Sequence, residues 1–249
     1  MERQADPVAS GKRVLIVMAH PDDGEFSAGA TIAKWAAEGC DIHCCLLTDG
    51  QVGDAGDAEI TSDQLAEVRR REAQAAADAL GVRNEVRFLH YMDSRLEPTL
   101  EVRHAIARVI RQVRPDVIIC QDPTVRWSGQ GYINHPDHRA AGEATLAAIM
   151  PLSDTRLSTP DLAAEGLAPH KVKEVYVTSS VHADRWVNVE GYLERKIEAL
   201  RAHKSQMRDW DPAPMVEQWA KDNAATARKH GHDMKFAEQF KYFRLADDE

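Results

Sequence analysis

No apolar run in the chain approaches the length of a membrane span, and the N-terminal M-E-R-Q-A-D-P-V-A-S-G-K lacks the hydrophobic core of a secretion signal. Both absences lead us to expect a soluble, cytoplasmic protein. Cysteine is scarce. Cys40, Cys44, Cys45 and Cys120 show no C-x-x-C spacing and lie in or beside apolar segments, so reduced, buried thiols are expected rather than disulfides or zinc thiolates. Positive charge is also short: 31 Lys and Arg stand against 40 Asp and Glu, a net charge of −9. That balance argues against a nucleic-acid or acidic-membrane partner without excluding a locally basic pocket. There is no G-x-G-x-x-G opening a helix, no lysine of a phosphate-cradling loop, no internal repeat and no low-complexity tract.

What is present is enough for one large domain. At 249 residues with 43% hydrophobic content, the chain can bury a core without disulfides or structural metal, so any metal would serve chemistry. We expect residues 1–249 to form a single domain, with a flexible N-terminus at 1–11 and a long surface loop at 151–169.

Arg13 to Asp23 organises the rest. Val14 to Met18 is a continuous apolar run, the pattern of a parallel strand covered on both faces, and it stops at His20, Pro21, Asp22 and Asp23. Ligands of open α/β sheets bind beyond the carboxyl ends of such strands. An imidazole and two carboxylates within four residues can hold a divalent cation. A plain strand-to-helix turn, with Asp23 capping the helix, accounts for only one of those carboxylates.

Further along, apolar periodicity predicts helices over 26–38, 61–80 and 99–113, and strands over 42–47, 86–90 and 117–120. This alternation specifies a mostly parallel sheet with right-handed crossovers, a Rossmann-like three-layer α/β/α sandwich. The glycine- and aspartate-rich stretch Thr48 to Asp57 falls at the same end of the sheet as His20. Residues 121–134 read as an irregular loop, leading to His135-Pro136-Asp137-His138 and a helix over 139–150. The i, i+3 histidines project to one side of that helix start. Later come a strand at 173–178, helices at 190–204 and 212–228, and a segment, 235–245, readable as a short helix or an edge strand. His203 can be a structural histidine at its helix end or a pocket residue.

Together A-H-P-D-D-G-E-F-S-A-G-A-T, T-D-G-Q-V-G, R-R-R-E with L-G-V behind it, N-H-P-D-H-R-A-A-G and H-K-S-Q resemble the LmbE-like, or PIG-L, family of metal-dependent N-deacetylases. The resemblance implies a metal, usually zinc, held by His20, Asp23 and His138. It implies Asp22 as general base, and His135, oriented by Asp137, as the group that protonates the leaving amine or stabilises the oxyanion. Arg69 and Asp93 match positions that hold sugar hydroxyls of an N-acetylglucosaminyl substrate. The implied partner is such a small molecule, and a homo-oligomer is expected. Ala30 stands where many members have the second glycine of G-G-T, and Gln51 replaces a frequent glutamate. Ile133 stands where some members have a tyrosine, with Tyr132 one place earlier. A zinc amidase acting on a thiol conjugate or another non-sugar amide would use the same centre. A non-enzymatic nucleotide-binding regulator is disfavoured by the missing glycine fingerprint.

Overall fold

The computed structural model describes residues 10–245, so most of the expected flexible N-terminus lies outside the described residues. The chain runs β1 (Arg13–Met18), α1 (Asp23–Ala37), β2 (Asp41–Thr48), α2 (Ser62–Leu80), β3 (Arg87–Tyr91), α3 (Leu100–Val113), β4 (Val117–Gln121), β5 (Trp127–Ser128), β6 (Tyr132–Ile133), α4 (Pro136–Ala147), α5 (Pro160–Ala164), β7 (Glu174–Thr178), β8 (Arg185–Asn188), α6 (Leu193–Ala202), α7 (Lys204–Met207), α8 (Ala213–Lys229) and β9 (Ala237–Arg244). The main sheet has the order β3-β2-β1-β4-β7-β9-β8. β3, β2, β1, β4 and β7 are parallel, and β9 is antiparallel to both its neighbours.

The unalternating apolar run of β1 has the expected cause. Val14, Ile16 and Met18 join a core with Ile32 and Trp35 of α1, Ala76 and Leu80 of α2, and Ile197 of α6. Leu15, Val17 and Ala19 join a second core on the opposite face, with Ile106 and Ile110 of α3 and Ala141 and Ala144 of α4. Each fully buried aliphatic side chain contributes about 1.5–3 kcal/mol, so the sandwich holds together from both sides of this strand. The three-layer α/β/α expectation is met.

Helix ends follow local chemistry. Thr61 and Gln64 form a reciprocal capping box at the start of α2. Thr99 caps α3 through the Val102 N–H. The helix expected over 139–150 begins earlier, at Pro136, because proline suits a first turn. It gives way after Ala147 to an irregular turn in which Met150, the residue before Pro151, is extended (φ −142°, ψ 123°).

Three elements differ from expectation. The 121–134 stretch carries a small antiparallel hairpin, β5 with β6. β8 has no sequence signature, since its four residues give too short an alternation. The 235–245 segment is neither helix nor edge strand, because β9 lies inside the sheet. Its Glu238 is buried, bonded by Lys196 Nζ at 2.7 Å and by the Ala30 and Thr31 N–H groups of α1 at 3.1 and 2.7 Å. Residues 151–169 include α5 and enclose the guanidinium of Arg111.

Candidate metal centre and active site

The sheet order reverses between β1 and β4. His20, Asp22 and Asp23 leave the end of β1 into the first turn of α1, while β4 ends in Gln121. α4 brings His135, Asp137 and His138 over this switch point. It can do so because Gly142 has no side chain: a Cβ there would lie 2.3 Å from the Gln121 carbonyl oxygen.

Asp23 is the hub. Its Oδ1 lies 3.0 Å from His138 Nε2, and its Oδ2 lies 3.3 Å from His20 Nδ1. Oδ2 also accepts the His20 backbone N–H at 2.8 Å and the Gln121 side-chain amide at 3.1 Å, while Gln121 Oε1 accepts the Ala19 N–H at 3.0 Å. His138 Nδ1 is 3.0 Å from Asn134 Oδ1, which directs Nε2 towards Asp23. Neither Gln121 nor Asn134 was singled out from sequence. Asn134 stood in the N-H-P-D-H motif, where its place beside two histidines was the available signal; Gln121 had none beyond ending an apolar strand.

Asp22 occupies the N-cap position of α1 with left-handed backbone (φ 88°) and makes no capping bond. Its side chain turns instead to Arg69, whose NH2 donates to Asp22 Oδ2 at 3.2 Å and to the Pro21 carbonyl at 2.8 Å, and whose NH1 donates to the Gly50 carbonyl at 2.9 Å. Gly50 is required there: it has φ 66°, and a Cβ would stand 2.1 Å from Arg69 NH1. The T-D-G motif thus docks on Arg69. Glu72, one turn on, accepts the Ser205 N–H and hydroxyl at 2.8 and 2.6 Å, tying R-R-R-E to H-K-S-Q. Arg69 is only 4% exposed, so sugar hydroxyls would meet a guanidinium already engaged with the protein. Arg70 and Arg71 both bond outward to Glu67.

His20 Nε2 lies 3.1 Å from Asp93 Oδ1 and 3.3 Å from Asp137 Oδ2. Asp137 further accepts the Ser94 and Leu96 N–H groups at 2.7 and 3.3 Å. Its carboxylate is 4.0 Å from His135 Nδ1, and it is the Asp137 backbone N–H that bonds that nitrogen, at 3.2 Å. His135 therefore caps α4 with Nδ1 and keeps Nε2 free. His203 is fully buried, with Nε2 3.7 Å from Glu25 Oε2.

The charges are strongly perturbed. Burial raises Asp22, and the Arg69 charge offsets this only partly, leaving its carboxyl at about 6. Burial also works against ionised Asp23, but the His138 and His20 charges prevail and hold it well below the usual carboxylate range. Burial opposes a charged His20, yet Asp23, with Asp137 and Asp93, pushes it up to about 12. Asp93, despite burial, is held at about 2 by His20. Burial, followed by the His20 charge, lowers His135. Four carboxylates crowded around so few cations form a site that a divalent ion would balance.

The donor set fits such an ion. Tetrahedral zinc with N and O ligands at about 2.0–2.1 Å places ligand atoms about 3.3 Å apart. Each imidazole–carboxylate pair has this spacing, His20 to Asp23 Oδ2 at 3.3 Å and His138 to Asp23 Oδ1 at 3.0 Å, so the Asp23 carboxylate spans the two rings with one oxygen towards each. His20, His135 and His138 also bring ring nitrogens within 4.8 Å of one another, as do His20, Asp93 and Asp137 their donor atoms.

Residues 15–149 match the family described as PIG-L, GlcNAc-PI de-N-acetylase. The chain belongs to the PIG-L family. Among PIG-L relatives, diacetylchitobiose deacetylase of Thermococcus kodakarensis is 34% identical over 83% of this chain and 76% of its own length. The 1D-myo-inositol 2-acetamido-2-deoxy-alpha-D-glucopyranoside deacetylase of Rhodococcus erythropolis is 32% identical over 80% of this chain and 82% of its own. N,N'-diacetylchitobiose deacetylase from Pyrococcus horikoshii, solved with an inhibitor, superposes with a TM-score of 0.83 at 27% identity, covering 94% of this chain and 84% of that one. This PIG-L chain therefore shares family and fold with proteins named as deacetylases. Among the described residues no helix is long and apolar enough to cross a membrane.

Proposed function

We propose that the chain acts as one domain to hydrolyse the acetamide of an N-acetylglucosamine-type small molecule, with a divalent metal, zinc in the first instance, held by His20, Asp23 and His138. The observation that carries this reading is the division of labour between adjacent aspartates. Asp23 is shared by two imidazoles, while left-handed backbone turns Asp22 aside to a separate partner. A metal ion bound there supplies a Lewis acid for the amide carbonyl and makes water acidic enough to ionise near neutral pH.

The chain's own groups do the rest. Asp22, with its carboxyl at about 6, is matched to take a proton from the attacking water at neutral pH. His135 presents a free Nε2 while Nδ1 accepts the Asp137 N–H, so in this neutral form Nε2 carries the proton and can donate to the developing oxyanion. Proton delivery to the leaving amine falls to the protonated Asp22 or to His135. Asp137 and Asp93 fix His20, and Asp93 is placed to meet a sugar hydroxyl; Arg69 holds Asp22 from below and offers the remaining polar edge.

Amine release from N-acetylglucosamine derivatives, measured with purified protein before and after chelation and zinc restoration, tests the reading. Metal-dependent release supports it. No release from sugar acetamides, with release from non-sugar amides, would move the substrate class and leave the centre unchanged.

A further inference from the structure

The ends of β2 and β3 carry a second cluster that the deacetylase reading does not use. Asp49, buried at the end of β2, lies 2.9 Å from His90 Nδ1 and 3.3 Å from Arg70 NH1. His90 stacks on Phe88 with ring planes 21° apart, yet its side chain is 61% exposed. A buried carboxylate thus holds an outward imidazole. With Nδ1–H directed at Asp49, Nε2 faces solvent in a fixed orientation. The backbone is left-handed at His90 (φ 59°) and again at Ser94 (φ 65°), on either side of Asp93. Such conformations persist where surrounding contacts impose them, and they gather at ligand sites.

Position supplies the second argument. β3 lies two places from β1 in the sheet, so strand spacing sets His90 about 10 Å to the side of His20. The chain then returns across that gap, bringing Asp93 to 3.1 Å from His20 Nε2. A ligand with its acetamide at His20 and His138 and its sugar hydroxyls at Asp93 would need a further ring to reach His90.

We propose that His90, held by Asp49, forms a subsite for the ring beyond the N-acetylglucosamine unit, a hydroxyl-rich saccharide or cyclitol that hydrogen-bonds Nε2. This rests on the deacetylase reading of the metal centre. It makes the protein selective for an N-acetylglucosamine glycoside over the free sugar.

The test compares wild type, His90→Ala and Asp49→Ala on N-acetylglucosamine and on N,N'-diacetylchitobiose. His90→Ala should lower kcat/KM for the disaccharide about tenfold, the scale of one lost hydrogen bond, and leave the monosaccharide unchanged. Asp49→Ala, which removes the acceptor, should give the same selective loss by freeing the ring. Equal losses on both sugars, or none, would overturn the subsite. So would a changed oligomeric state of His90→Ala in light scattering, which would make the ring an intersubunit contact. If wild type releases amine from neither sugar, the deacetylase reading has failed separately, and the subsite is decided by binding. His90 ring resonances that shift with the unacetylated disaccharide chitobiose, but not with glucosamine, support it; the absence of a shift rejects it.

Discussion

Two arginines, Arg69 and Arg111, are buried to nearly the same degree, 4% and 2% exposed, and do different work. Arg111 sends Nε to the Ser153 carbonyl, NH1 to Leu167 and Thr159, and NH2 to Leu152 and Thr155. Its hydrogen bonds all go to backbone carbonyls, with the Asp161 and Asp154 charges acting on it without a direct bond, and it shapes residues 152–167 into an enclosing turn. Arg69 also grips carbonyls, those of Pro21 and Gly50, but adds the carboxylate of Asp22. The difference is the partner's ability to change charge. A guanidinium set against dipoles fixes shape, whereas one set against a carboxylate also sets that group's proton affinity.

The largest effect is expected at Asp22. Asp22→Asn should keep near-stoichiometric zinc by metal analysis and lose kcat by roughly two to four orders of magnitude, the usual scale for a general base. Loss of zinc in a folded variant would reassign the two aspartates. Arg69→Ala should lower kcat by about 10- to 100-fold, the range for groups that orient a metal site from behind. A rise in KM with kcat unchanged would instead make Arg69 the holder of sugar hydroxyls, as the resemblance implies.

Arg111→Met should leave kcat of the folded enzyme unchanged and cost about 3 kcal/mol, since several carbonyls lose a charged donor at once. A thermal melt should then fall by roughly 6–12 °C. If activity fell with stability intact, residues 152–167 would belong to the substrate path. The smallest effect is expected at Thr61, whose cap steadies the helix that carries Arg69. Thr61→Ala should cost about 1 kcal/mol and lower the melt by roughly 2–4 °C, with KM and kcat unmoved.

The sequence made legible those features that repeat a period or crowd unusual chemistry. The apolar runs of β1, β2 and β4 and the periodic faces of α1 to α3 announced the parallel half of the sheet. The two H-P-D segments announced the pole at which it ends, and the structure brings His20, Asp22, Asp23, His135, Asp137 and His138 together there. Gln121 was illegible because one amide after an apolar strand has no periodic signature; only the fold sets it between Ala19 and Asp23. β9 was ambiguous because Glu238 puts a charge on the buried face it shares with Phe240 and Tyr242, and the Lys196 ammonium that makes this tolerable lies on a distant helix. His90 gave no signal, since its meaning depends on strand order and on the buried Asp49.

The interior placement of β9 bears on how the protein is made. β8 reaches the sheet only through β9, and β7 has β9 as its outer neighbour. While the ribosome has not yet delivered residues 237–244, β7 is an open edge with Val175, Tyr176 and Val177 ready to pair with any passing strand. The same delay leaves Lys196 and the Ala30 and Thr31 amides without the carboxylate that joins them. The helix that begins at the candidate site is therefore secured at its middle only once residue 238 has been made, so a nascent chain stalled before Glu238 would be prone to aggregate and slow to assemble that site.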